Sequence, residues 1–224
     1  GEALHVADMA QFFPDRYDHP NWEVPKCIVV WGCDPTVNCS DWFFGHWVVD
    51  CMKRGSEVIV IDPRCTWLAS RAKKWLPIRP GTDAALALGM LKVIITENLY
   101  DQEFVDQWTH GFEELKARVE GYSPEEVSEI TGIPVEKIVE AARMVAVNKP
   151  SCVQWGVALD QTTECLDSIR AITAMIAITG NMDVPGGNAF VSFLINNLIW
   201  GDELISNDLK EKKFGPKEYP LWSM

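Results

Sequence analysis

The chain reads as an α/β protein: a Rossmann-like parallel sheet flanked by helices. Two observations carry that reading. CIVVWG (27–32), EVIVID (57–62) and SCVQWG (151–156) are short, largely apolar, β-branched runs, as strands buried on both faces tend to be. Between them lie longer segments that open on capping residues and close on glycine or asparagine, so strands and helices alternate as in βαβ units.

Taken in order, a polar, proline-bearing lead-in precedes the first run, which ends at Gly32 and gives way to a turn built on Asp34-Pro35. Ser40 or Asp41 is expected to cap a helix in DWFFGHWVVDCMKRG, which stops on Lys53, Arg54 and Gly55. The second run ends in Asp62-Pro63. TWLASRAKKW predicts a helical turn or two, and the prolines of LPIRP predict extended chain. GTDAALALGMLKVIITEN predicts a helix with Thr82 or Asp83 as cap. Four helical segments follow between 101 and 148; among them SPEE is a strong start, with Ser123 capping, Pro124 in the first turn and Glu126 three residues on. They read as a packed helical cover with charged outer faces. After the third run, ECLDSIRAITAMIAITGN predicts an apolar helix stopped by Gly180-Asn181, and VPGGNAF a tight loop. The last stretch is polar, punctuated by Pro and Gly, and does not close a domain.

Composition narrows the function. A formal charge of −12 argues against a nucleic-acid or anionic-membrane partner. No apolar run approaches the roughly 18 residues that span a bilayer, which argues against membrane insertion. The opening GEALHVADMAQFF has neither the basic region nor the apolar stretch of a signal peptide. Seven cysteines without a CxxC pair read as buried free thiols rather than as a disulfide framework or a metal cluster. The four histidines are scattered, and there is no HExxH, GxSxG, GxGxxG or GxxxxGK[ST]. No catalytic machinery is visible.

What remains is binding. Parallel sheets take ligands beyond the carboxyl ends of their strands, so WGCDPTVN, IDPRC and WGVALDQ are the loops of interest, with PGTD at a helix start as a fourth. Asp62 has two readings, a turn-forming Asp-Pro or an acceptor for ribose hydroxyls. Asp83 also has two, a helix-capping carboxylate or an acceptor for the paired N1–H and N2–H₂ donors of guanine. Gly32, Gly81 and Gly156 allow the backbone to approach a phosphate or ring closely.

In this order and spacing, VVWGCDPTVN, VIVIDPRCTWLASRAKKWLPIRPGTDAALALGML, the helical block from ENLYDQEF to EAARM, and ITGNMDVPGG resemble the central part of molybdopterin oxidoreductases of the dimethyl sulfoxide reductase family. The resemblance runs from roughly residue 26 to residue 190. It implies a molybdopterin guanine dinucleotide carrying molybdenum or tungsten, with its guanosine and diphosphate held by three loops. Carried over, these are Trp31, Gly32, Cys33, Asp34 and Asn38; Ile61, Asp62, Pro63 and Arg64; and Gly81, Thr82 and Asp83. A fourth, glycine-rich loop corresponds to Gly156, Val157, Ala158 and Gln161, with Ala158 where a glycine is usual and Asp34 where Asn is commoner.

The resemblance further implies an iron–sulfur cluster and a metal-ligating residue upstream, and a C-terminal domain downstream. The chain is then a fragment that is inactive alone, from a bacterial enzyme of two-electron redox or oxygen-atom transfer, of the kind used in anaerobic respiration. Its partners are the remaining domains of the parent subunit and an iron–sulfur electron-transfer subunit; its compartment, cytoplasm or cell envelope, is left open. The resemblance also implies a division into 1–154 and 155–224, the second piece being part of an adjacent α/β domain. Such a half-domain would expose apolar edges and favour self-association. Two other readings are a scaffold domain like that of the large iron–sulfur subunit of complex I, and the nucleotide domain of a thiamine-diphosphate enzyme.

Overall fold

The computed structural model describes residues 12–17, 20–38, 44–190, 206–210 and 212. Three five-residue strands form where the β-branched runs place them: β2 (Cys27–Trp31), β3 (Glu57–Ile61) and β5 (Ser151–Trp155). A short fourth strand, β4 (Lys74–Leu76), completes a parallel sheet in the order β4-β3-β2-β5. It starts just before the expected extended segment, after a 3₁₀ turn at Ala69–Arg71. Two further three-residue strands, β1 (Phe12–Pro14) and β6 (Asn188–Phe190), pair antiparallel in a separate ribbon. They lie in segments that the sequence reading assigns to a lead-in and a tight loop.

Both faces of the parallel sheet are covered, and strand side chains sort between them with a period of two. Ile28, Val30, Val58, Val60 and Cys152 join one core with Trp47 and Val48 of helix α1 (Phe44–Lys53). The expected cap of this helix, Ser40 or Asp41, lies outside the described residues. Val29, Trp31, Ile59, Ile61, Val153 and Trp155 join a larger core on the opposite face. Its centre is α2 (Asp83–Thr96), a helix buried on nearly all sides, as its nearly unbroken apolar sequence requires. Thr82 is its N-cap residue without a side-chain cap bond, and Asp83 is its first helical residue.

The helical block forms as four helices: α3 (Gln102–Trp108), α4 (Phe112–Val119), α5 (Pro124–Thr131) and α6 (Val135–Val147). The reciprocal capping box of Ser123 and Glu126 is present at the start of α5. After β5, the one-turn helix α7 (Val157–Asp160) leads into α8 (Cys165–Ile178), which packs along α2. By packing, one compact unit runs to Val191. A second unit, Ser192–Met224, contains the single turn α9 (Asn207–Lys210) among its described residues. No helix among the described residues is long and apolar enough to cross a membrane.

Sheet edges are closed by side chains. The Asn188 side chain accepts from Val153 N at 2.8 Å and donates to Val153 O at 2.9 Å, while Asn181 Oδ1 accepts from Ser151 N at 2.9 Å. At β4, Lys137 Nζ donates to Trp75 O at 3.1 Å. Cys27, Cys51 and Cys152 are buried free thiols, and burial pushes Cys27 and Cys51 up to about 12. Cys33 and Cys165 are half-buried and Cys65 is exposed.

Candidate functional site at the sheet switch point

The chain leaves β2 toward β3 on one side and returns to β5 on the other, so the order reverses between β2 and β5. Diverging connections leave a crevice at such a point. The ladder runs one residue past the strands: Gly32 N donates to Ile61 O at 2.8 Å, and Gly156 N donates to Trp31 O at 3.0 Å. Beyond these bonds lies a cavity of about 540 Å³, within the usual size range of small-molecule sites.

Each strand end contributes to it. Gly32, Cys33 and Asn38 come from the β2 loop, Asp62, Pro63 and Arg64 from the β3 loop, and Gly156, Val157 and Ala158 from the β5 loop. Five more lining residues were not nominated from the sequence: Phe13, Phe44, Gln154, Trp155 and Asp160. Gln154 carried a legible signal, a lone amide inside an otherwise buried strand. Phe13 comes from the β1 ribbon, which no local pattern revealed.

The other candidates sit elsewhere. Trp31 and Ile61 are fully buried in the sheet, and Asp34, 6% exposed, accepts from Thr36 Oγ1 at 2.7 Å in its own turn. Gln161 ends α7 on the surface, and Gly81, Thr82 and Asp83 form the start of α2; none of these seven lines the cavity.

Asp62 serves its turn and faces the cavity at once. Its Oδ1 accepts from Arg64 N at 2.8 Å and pairs with Arg64 Nε at 3.4 Å, while its carbonyl accepts from Trp75 Nε1 at 2.9 Å. The Arg64 side chain is largely solvated, so this ion pair adds little stability and the guanidinium can turn to an anion. Asp83 is bound differently: Trp31 Nε1 donates to its Oδ1 at 2.8 Å. Burial pushes the Asp83 carboxyl up, and the Trp31 indole followed by the backbone N–H groups of Asp83 and Gly81 pulls it part of the way back.

The glycines at the crevice answer to protein first. A Cβ on Gly156 would stand 2.4 Å from Cys33 Cβ and 2.6 Å from Gly32 O, so the β2 and β5 loops meet only because it is absent. Gly32 adopts φ +61° and faces Leu159. Close approach of the two loops brings their backbone into one cradle beside the Asp62 carboxylate. Among the described residues no cluster of His, Cys, Asp and Glu is arranged to hold a metal ion.

Comparison with known proteins fits this geometry. The family model for molybdopterin oxidoreductases matches residues 9–209, beyond both ends of the resemblance read from the motifs. Acetylene hydratase of Syntrophotalea acetylenica is 42% identical over 174 residues, covering 76% of this chain and 24% of that protein. Dimethyl sulfoxide reductase DmsA of Escherichia coli (strain K12) is 38% identical, covering 61% of this chain and 19% of its own length. Formate dehydrogenase H of the same organism is 39% identical over 62% of this chain and 19% of its own length. The solved acetylene hydratase from Pelobacter acetylenicus superposes with a TM-score of 0.78 at 34% identity, covering 98% of this chain and 30% of that one. The chain thus spans about a quarter of the length of such relatives. It belongs to the molybdopterin oxidoreductase family.

Proposed function

We propose that this chain is the part of a larger molybdopterin enzyme that holds the guanosine diphosphate end of a molybdopterin guanine dinucleotide carrying molybdenum or tungsten. The observation that carries the reading is the cavity at the switch point, with the Asp62 carboxylate beside two interlocked glycine loops. Asp62 would accept from ribose hydroxyls, Arg64 and the loop backbone would meet the diphosphate, and Asp83 would meet the base. When bound, the metal of the cofactor supplies two-electron redox or oxygen-atom transfer; this chain's share is to bind and orient. The relatives are named for hydration, dehydrogenation and reduction alike, so the reaction of the parent is not fixed by membership. The scaffold and thiamine-diphosphate readings gain no support from those names.

The remaining domains of the parent subunit, with an iron–sulfur cluster and an electron-transfer subunit, are the proposed partners. Self-association of the isolated chain through its part after residue 155 is a further proposal. The test uses the full-length protein in which this chain occurs: metal content and acid-released guanine nucleotide are measured for wild type and Asp62→Ala. Loss of a charge-assisted hydrogen bond, ~1.5–3 kcal/mol, predicts about tenfold or greater weakening of cofactor retention. Retention equal to wild type would overturn the reading.

A further inference from the structure

Trp31 closes β2 and is fully buried, so it has no surface to offer a ligand. Its indole N–H is nevertheless spent on Asp83, 52 positions away in sequence, at 2.8 Å. Asp83 keeps 8% of its surface exposed, and Gly81 before it adopts φ +82° with open space where a Cβ would project. A carboxylate near an open rim is thereby tied to an interior strand of the parallel sheet.

We propose that Trp31 is a positioning residue: its indole N–H fixes the Asp83 carboxylate in the one placement that can accept the paired N–H donors of a guanine edge. The inference rests on the nucleotide reading above. A short carboxylate side chain loses rotamer freedom when one oxygen is held, and that loss then precedes ligand binding rather than accompanying it. The same bond favours the ionised form, which accepts but does not donate; burial opposes that form, and the indole is the largest influence against burial. A tryptophan whose only task was to fill the core would need some acceptor for its N–H, but not one on a helix-start carboxylate at the rim.

The test is a double-mutant cycle on the full-length protein produced without its cofactor, with guanosine diphosphate and adenosine diphosphate as probes. Trp31→Phe keeps the aromatic packing and removes the N–H. It should weaken guanosine diphosphate binding about tenfold, leave adenosine diphosphate binding unchanged, and add nothing to the loss already caused by Asp83→Asn. Asp83→Glu leaves the core tryptophan intact, retains the charge and displaces it; it should weaken guanosine diphosphate binding to a similar degree. Wild-type binding by Trp31→Phe or by Asp83→Glu, alongside a loss in Asp83→Asn, overturns the positioning role and leaves the nucleotide reading standing. Wild-type binding by Asp83→Asn overturns the base-contact reading of Asp83, and the inference with it.

Discussion

Asp83 carries a charge that the folded chain does little to favour. Because burial raises its carboxyl above the ordinary 3.8, the folded state holds the proton to higher pH than the unfolded state does. Unfolding then releases a proton across that window, so this group's contribution to stability falls as pH rises from the ordinary value through the raised one. Asp83→Asn removes the titration while its side-chain oxygen can still accept from Trp31. Urea unfolding between pH 4 and 8 should therefore show wild type losing stability relative to Asp83→Asn as pH rises, with the variant equally or more stable at neutral pH. Wild type gaining on the variant as pH rises would show that the ionised carboxylate stabilises the fold. Asp62 is a contrasting case, since an Asx turn onto Arg64 N gives it a structural task in the ligand-free protein. Both readings of that residue were open in the sequence, and the geometry accommodates both.

The elements that formed from local pattern were legible for a physical reason. β2, β3 and β5 are buried on both faces, so they read as β-branched runs, and the helices carry their own start and stop signals. β1, β4 and β6 were not legible. Each has three residues, too few to show a period, and β1 meets β6 across more than 170 positions of chain. The Trp31–Asp83 bond is invisible for the same reason, because nothing near either residue announces the other. Asn188 shows what such long-range structure contributes, since its one side chain satisfies both backbone groups of Val153 at the edge of β5. Asn188→Ala leaves a buried N–H and C=O without partners and should cost about 2–4 kcal/mol. Urea unfolding at constant pH measures it; a loss under about 0.5 kcal/mol would mean that water replaces the amide.

At the scale of the molecule, the sheet order sets where a ligand can sit, and the loops only decide which ligand. Reversal between β2 and β5 opens the crevice, glycines let its two loops meet, and the aspartates Asp62 and Asp160 are among its lining. Candidates named from motifs divided accordingly: the strand-end loops met at the cavity, whereas Trp31 and Ile61, counted as contacts from their place in a motif, are core residues. A motif records residues that travel together, and those that hold a contact residue in place travel with it. The most direct measurement is the structure of the full-length protein purified with its native cofactor. The account predicts a nucleotide diphosphate in the crevice between the Gly32 and Gly156 loops, ribose on Asp62, and the base within hydrogen-bonding distance of the Asp83 carboxylate. A crevice filled by side chains from another part of the parent protein, with the nucleotide bound elsewhere, would contradict it.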